Sequence, residues 1–180
     1  MNKICLVPLA AGLLIALQSQ ESFAGTDTAT LLVTANVAAS CNVATTPVYF
    51  GTYTGTSALT AQGTVSVTCT GGTGGAGAYV IIQMDKGSSG SSISQRKLKD
   101  SNNKTLTYNL YQPNGNTPGA TCAASPTTIW GDTASTQFYA APITSSSAVT
   151  YNICGSMPAS QTLTGIAGGL SDTVNVTINF

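Results

Sequence analysis

Apolar and polar residues alternate along this chain in short runs, and the first clear run is "TATLLVTANVAASC", from Thr28 to Cys41. Ala29, Leu31, Val33, Ala35 and Val37 share one register, while Thr28, Thr30, Thr34 and Asn36 occupy the other, which predicts a strand with one apolar face. No two-residue turn follows to fold this strand back as a hairpin, so its pairing partner is not local. A period of two, or a run of β-branched residues, returns in "GTVSVTCT" (63–70), "AYVIIQM" (78–84), "TLTYNLY" (105–111), "TQFYAAPI" (136–143), "AVTYNI" (148–153) and "DTVNVTINF" (172–180). Gly, Ser, Asn and Pro separate these runs, and no segment carries a convincing helical period. Strands at this spacing with turn-rich joints predict an all-β antiparallel sandwich.

The last run poses a closure problem. Val174, Val176, Ile178 and Phe180 alternate with Thr173, Asn175, Thr177 and Asn179, so a one-faced strand reaches the final residue on an expected core position. A sandwich normally adds one more strand to close such a sheet. Either the first and last strands pair with each other in a closed sandwich, or the open side of the last strand takes a strand from elsewhere.

The start of the chain bears on compartment. Lys3 precedes an apolar run from Ile4 to Leu17, followed by a polar step to "SFA" and Gly25, the pattern of a secretory signal peptide cut after Ala24. The run falls short of the ~20 residues that span a bilayer, so an exported protein without a membrane span is expected. The roughly 156 residues that remain correspond to one domain. Lys and Arg total 6 against 6 Asp and Glu. Such a balance offers no basic surplus to attract nucleic acid or an anionic membrane.

Cys5 leaves with the signal, and the four cysteines that stay, Cys41, Cys69, Cys122 and Cys154, favour disulfides in an exported chain. Three connectivities are open. Pairing nearest neighbours, Cys41 with Cys69 and Cys122 with Cys154, closes two loops of about 30 residues worth roughly 3–4 kcal/mol each, and is the expected arrangement. Two such bridges would suit a staple between the sheets.

Candidate chemistry is thin. The chain has no histidine, and its one glutamate lies in the expected signal peptide. Ser-His-Asp and Cys-His systems and the commonest zinc ligands are therefore excluded. Asp27, Asp85, Asp100, Asp132 and Asp172 are spread along the chain with no paired carboxylates, so neither catalysis nor a metal or cofactor is expected. "GGTGGAG" (71–77) contains a formal G-x-G-x-x-G, but a strand follows it where a nucleotide site needs a helix. "SQRKLKDSNNK" (94–104) gathers Arg96, Lys97, Lys99 and Lys104 and reads as a solvated hairpin with gatekeeping charges, with a minor site for an anionic surface as the alternative. Trp130 and Tyr139 read as core or groove residues, the alternative being a platform for carbohydrate or an abiotic surface.

Taken in order, several short stretches resemble one family. Cys41 after the first strand, "YFGTY" (49–53), "GTVSVTC" (63–69), "RKLK" (96–99) with "LTYNLY" (106–111), "WGD" (130–132), "VTYNICGSMPASQ" (149–161) and "SDTVNVTINF" (171–180) are similar to the spore coat protein U domain family, which includes the structural subunits of archaic, Csu-type chaperone–usher pili. The resemblance covers about Leu31 to Phe180. It departs from the family where Gly169-Leu170 replaces a glycine-aromatic step and in the second cysteine pair.

The resemblance implies an incomplete immunoglobulin-like antiparallel β-sandwich completed by donor-strand exchange. Residues 1–24 would be the signal peptide, 25–38 an N-terminal donor strand and 39–180 the sandwich. Leu31, Val33, Ala35 and Val37 would be donor residues, and Val174, Val176, Ile178 and Phe180 would line the acceptor groove. The implied partners are a periplasmic pilus chaperone, an outer-membrane usher and other copies or related subunits, with the mature chain in an extracellular fibre that supports adhesion and biofilm formation. A spore-coat structural protein and a self-complemented monomeric binding module are the alternatives.

Overall fold

The computed structural model of the protein describes residues 28–35, 40–70, 80–141, 143 and 147–180. The chain divides into two compact units, residues 1–35 and 36–180. In the first, residues 28–35 have no regular secondary structure and are exposed. Of the strand expected over Thr28–Cys41, residues 28–35 are not a strand, Ser40 and Cys41 begin β1, and residues 36–39 lie outside the described residues. The expected signal peptide, Val37 and the glycine-rich run 71–77 lie outside the described residues.

The second unit is built, among its described residues, from eight strands and no helix: β1 (Ser40–Thr46), β2 (Leu59–Thr70), β3 (Ile81–Met84), β4 (Arg96–Lys99), β5 (Thr105–Tyr111), β6 (Phe138–Tyr139), β7 (Val149–Met157) and β8 (Val176–Asn179). They form a five-stranded sheet in the order β1-β2-β7-β5-β4 and a three-stranded sheet in the order β6-β3-β8. Every pairing is antiparallel. The fold is all-β, as the alternation predicts.

The core forms where inward positions of the two sheets meet. Val65 and Val67 of β2, Tyr151 and Ile153 of β7, and Leu106, Tyr108 and Leu110 of β5 pack in one cluster with Ile82 and Met84 of β3 and Phe138 of β6. Each set is spaced by two, as a pleated strand with one buried face requires. Trp130 is fully buried, with its ring centroid 4.8 Å from that of Phe138, and Phe138 meets Tyr151 edge-on. Trp130 Nε1 donates to Ile82 O at 2.9 Å. Trp130 is therefore a core residue, and the loop-platform reading loses it.

Both expected disulfides are present, Cys41–Cys69 and Cys122–Cys154. They do not staple the sheets together. Cys41 and Cys69 stand directly opposite each other in the β1–β2 ladder. Cys122 lies in the stretch after β5 and is tied to Cys154 of β7, a strand of the same large sheet.

Candidate functional site

Two adjoining cavities run along one side of the sandwich. The smaller, about 200 Å³, lies among Val48, Phe50, Met84, Tyr108, Val174 and Val176, with Asp172 at its wall. The larger, about 530 Å³, is lined by residues 48–53 on one flank and by Leu163, Ile166 and Leu170 on the other. Val48, Phe50 and Leu98 border both, so the two are continuous. Val48, Phe50, Leu98, Ile166, Leu170, Val174, Val176 and Ile178 are only partly buried although they pack against the core. The result is an apolar cleft open to solvent, not a sealed interior.

Local structure explains its walls. Residues 47–50 are not part of a ladder, and their side chains alternate: Val48 and Phe50 turn inward while Tyr49 is exposed. They can lie close on β7 because position 155 is glycine; a Cβ there would come within 2.9 Å of Phe50 Cζ. On the other side, Asp172, Val174, Val176 and Ile178 form an inward-facing row with exposed Thr173, Asn175 and Thr177 between them. Among the described residues, β8 is hydrogen-bonded on one side only, to β3. Its other edge presents unpaired backbone groups along the cleft, a template for an added strand.

The expected site residues are placed as follows. Val174 and Val176 line the cleft and Ile178 follows them half-buried against the core, whereas Phe180 is 56% exposed and is not the core residue that the alternation suggests. Leu31 and Val33 are 86% and 80% exposed, Ala35 is exposed, and so is Leu32, which the alternation leaves off the apolar face. An exposed apolar run of this kind is unusual on a soluble surface.

The polar part of the site was not foreseen. The basic stretch 94–104 does form a hairpin, β4 with β5, but Arg96 is fully buried rather than solvated. Its Nε donates to Asp85 O (2.9 Å), its Nη1 to Ile93 O (3.2 Å), and its Nη2 to Met84 O, Asp85 O and Trp130 O (3.1, 2.7 and 2.7 Å). Burial lowers the Arg96 pKa from its ordinary value, and Tyr108, Asp85, Asp132 and Asp172 nearby oppose that shift. Three of the aspartates scattered along the sequence, Asp85, Asp132 and Asp172, thus lie close enough to act on one cation. Arg96 also faces Tyr108 directly across the hairpin. Burial, followed by the hydrogen bond to Asp172, pushes the Tyr108 hydroxyl well above its ordinary range.

Asp85 is pushed up by burial, but hydrogen bonds from the Gly87 and Asn175 backbone and the Asn175 side chain outweigh this and hold its carboxyl below the usual range. Asp100 is held low mainly by the Ala167 N–H, with help from those of Lys104 and Asn102. Among the described residues, no group of three or more Cys, Asp or Glu is placed to hold a metal ion. The signals that could have exposed the network are the "RKLK", "LTYNLY", "WGD" and "SDT" stretches, whose Arg96, Tyr108, Trp130 and Asp172 converge here.

The described residues thus form an antiparallel sandwich whose core is open along the edge strand β8. The chain matches the model of the Spore Coat Protein U domain over residues 27–177, and it belongs to that family. No curated protein matches it. Among solved structures it is similar to a chain of the crystal structure of the CsuC-CsuE chaperone-tip adhesion subunit pre-assembly complex from archaic chaperone-usher Csu pili of Acinetobacter baumannii, at 20% identity and a TM-score of 0.48. The match covers 79% of this chain and 40% of that one.

Proposed function

We propose that the chain is an exported structural subunit of a chaperone–usher surface fibre, and that it polymerises by laying the N-terminal segment of one copy into the cleft of the next. Residues 1–24 act as signal peptide, 25–38 as donor strand and 39–180 as the sandwich. The observation that carries this reading is the open apolar cleft beside the free edge of β8. Family membership and the exposed, alternating 28–35 segment support it.

The energetics suit the role. Main-chain bonds along an added strand supply affinity, and Leu31, Val33, Ala35 and Val37 entering the cleft set the register. Complete burial of Leu31, Val33 and Val37 contributes about 1.5–3 kcal/mol each. Donation from copy to copy is a head-to-tail contact that need not close into a ring, so it extends as a fibre. A periplasmic chaperone fills the cleft before assembly, an outer-membrane usher exports the subunits, and the fibre serves adhesion and biofilm formation without catalysis.

The test compares the exported chain with a variant lacking residues 25–38 on unboiled denaturing gels. The expected result is a heat-sensitive ladder from the complete chain that disappears on truncation. A stable monomer from both, with no chaperone bound, would overturn the proposal.

A further inference from the structure

Residues 171–179 cross from one sheet to the other. Ser171 exchanges backbone hydrogen bonds with Lys99 at the edge of the five-stranded sheet, at 2.9 and 3.0 Å. Five residues later the chain is paired with β3 in the three-stranded sheet. Asp172 stands at the crossing. Its Oδ2 accepts from Tyr108 Oη of β5 at 2.7 Å. Its Oδ1 accepts from the Ser88 N–H (2.9 Å), the Ser88 hydroxyl (2.6 Å), the Ser89 N–H (3.1 Å) and the Thr173 N–H (3.0 Å). Gly87 has φ +75°, and a Cβ at that position would strike the Asp172 carboxylate. The turn after β3 is shaped around this one side chain.

A single carboxylate therefore ties together the large sheet, the turn that follows β3 and the start of the last strand. Tyr108 is 5% exposed, and its hydroxyl donates to a carboxylate, a charge-assisted bond in a partly buried setting. Asp172 and Tyr108 also wall the smaller cavity, beside Val174 and Val176. β8 is laddered to β3 over four residue pairs, the residues before it are bonded to the segment after β3 through Asp85 N to Asn175 O, Ser88 N to Thr173 O and the Asp85 carboxylate on Asn175, and no partner holds the outer edge of β8 among the described residues. The spacing of the cleft before anything enters it must come from the crossing.

We propose that Asp172 and Tyr108 are positioning residues that latch the last strand at the spacing an incoming strand needs, so that the empty cleft is pre-organised. The inference rests on the reading of the cleft as a strand acceptor. A strand edge already in place spares the incoming segment the cost of ordering it, and a latch that opens reduces apparent affinity by the fraction of time the edge is displaced.

The experiment uses the full chain carrying Tyr108→Phe, which deletes one hydroxyl, or Asp172→Asn, which removes the charge at nearly constant size. A fluorescent peptide of residues 28–38 is titrated by anisotropy, and amide hydrogen exchange is followed without peptide. The expected result is binding about tenfold weaker than wild type, mostly through slower association. Exchange should be faster at residues 173–178 and unchanged in β2 and β7. Should either variant fail to fold, Ser88→Ala removes only one of the four donors to Oδ1 and is expected to show a smaller effect in the same direction. Wild-type affinity and wild-type exchange in the folded variants would overturn the latch alone. Failure of the wild-type chain itself to take up the peptide would instead overturn the acceptor reading, and the latch's purpose with it.

Discussion

Arg96 makes five hydrogen bonds to four backbone carbonyls while fully buried. Those carbonyls belong to Met84, Asp85, Ile93 and Trp130, so the guanidinium joins β4 to the end of β3 and to the Trp130 segment. Replacing it by Met leaves buried acceptors unpartnered and should cost about 3–5 kcal/mol in urea denaturation. Arg96→Lys should recover little, because an ammonium cannot reproduce the planar fork. A loss below about 1 kcal/mol for Arg96→Met would show that the network is incidental. The opposite sign is expected at Tyr151, whose hydroxyl is buried without a hydrogen-bond partner among the described residues. Tyr151→Phe should raise stability by about 1 kcal/mol, read from the same denaturation midpoint.

The carboxylates set the pH response. Asp85 and Asp100 both have folded-state pKa values below their ordinary 3.8. A depressed carboxylate contributes stability that is complete above the unfolded pKa and is lost as pH falls toward the folded one. Unfolding free energy should therefore fall only below about pH 5, and Asp85→Asn should shallow that fall. With no histidine in the chain, stability should be flat from about pH 5 to 8. A transition near pH 6.5 would contradict this assignment.

At the scale of elements, the disulfide from Cys122 to Cys154 fixes an otherwise lightly held stretch. Between β5 and β6, this stretch meets β7 through Gly119 N to Thr150 O and Asn152 Nδ2 to Ala120 O, both 2.9 Å. Replacing both cysteines by serine should cost roughly 3–4 kcal/mol for a loop of this length. It should also open residues 112–128 to limited proteolysis while β2 and β7 stay protected. Unchanged cleavage would mean that the backbone contacts suffice.

Element identity was legible wherever one face is buried and the other wet. Thr105–Tyr111 is a strand over the full expected range, and β2 and β7 extend beyond theirs, from Leu59 and to Met157. The run 136–143 yields only Phe138–Tyr139, because β6 is an edge strand paired over two residues. The run 172–180 is regular only over Val176–Asn179, since its first residues are crossing between sheets and are held by isolated backbone bonds, Asp85 N to Asn175 O and Ser88 N to Thr173 O, together with side-chain bonds, not by a continuous ladder. The cysteine pairing was legible from spacing, but the shared sheet was not, because spacing carries no information on layers. The burial of Arg96 is not legible in the sequence, because a charge there says nothing about four carbonyls brought to it from elsewhere. The alternation of half-buried and exposed positions was legible as far as Ile178, and Phe180 lies beyond the last residue that β3 covers.

For the whole molecule, the notable feature is a core left open on one side and an exposed apolar segment in the same chain. Few charges and no net charge leave apolar contacts and backbone pairing as the forces available for assembly. Under the proposed function, these are the features by which each copy would complete another. The most direct test places a photo-crosslinking residue at position 33 of the full chain and assembles equal amounts of light and isotope-labelled protein. Strand exchange between copies predicts adducts of mixed mass, with the attached peptides mapping to residues 48–50 or 174–178. Adducts confined to chains of one mass, or attached elsewhere on the sandwich, would contradict strand exchange between copies.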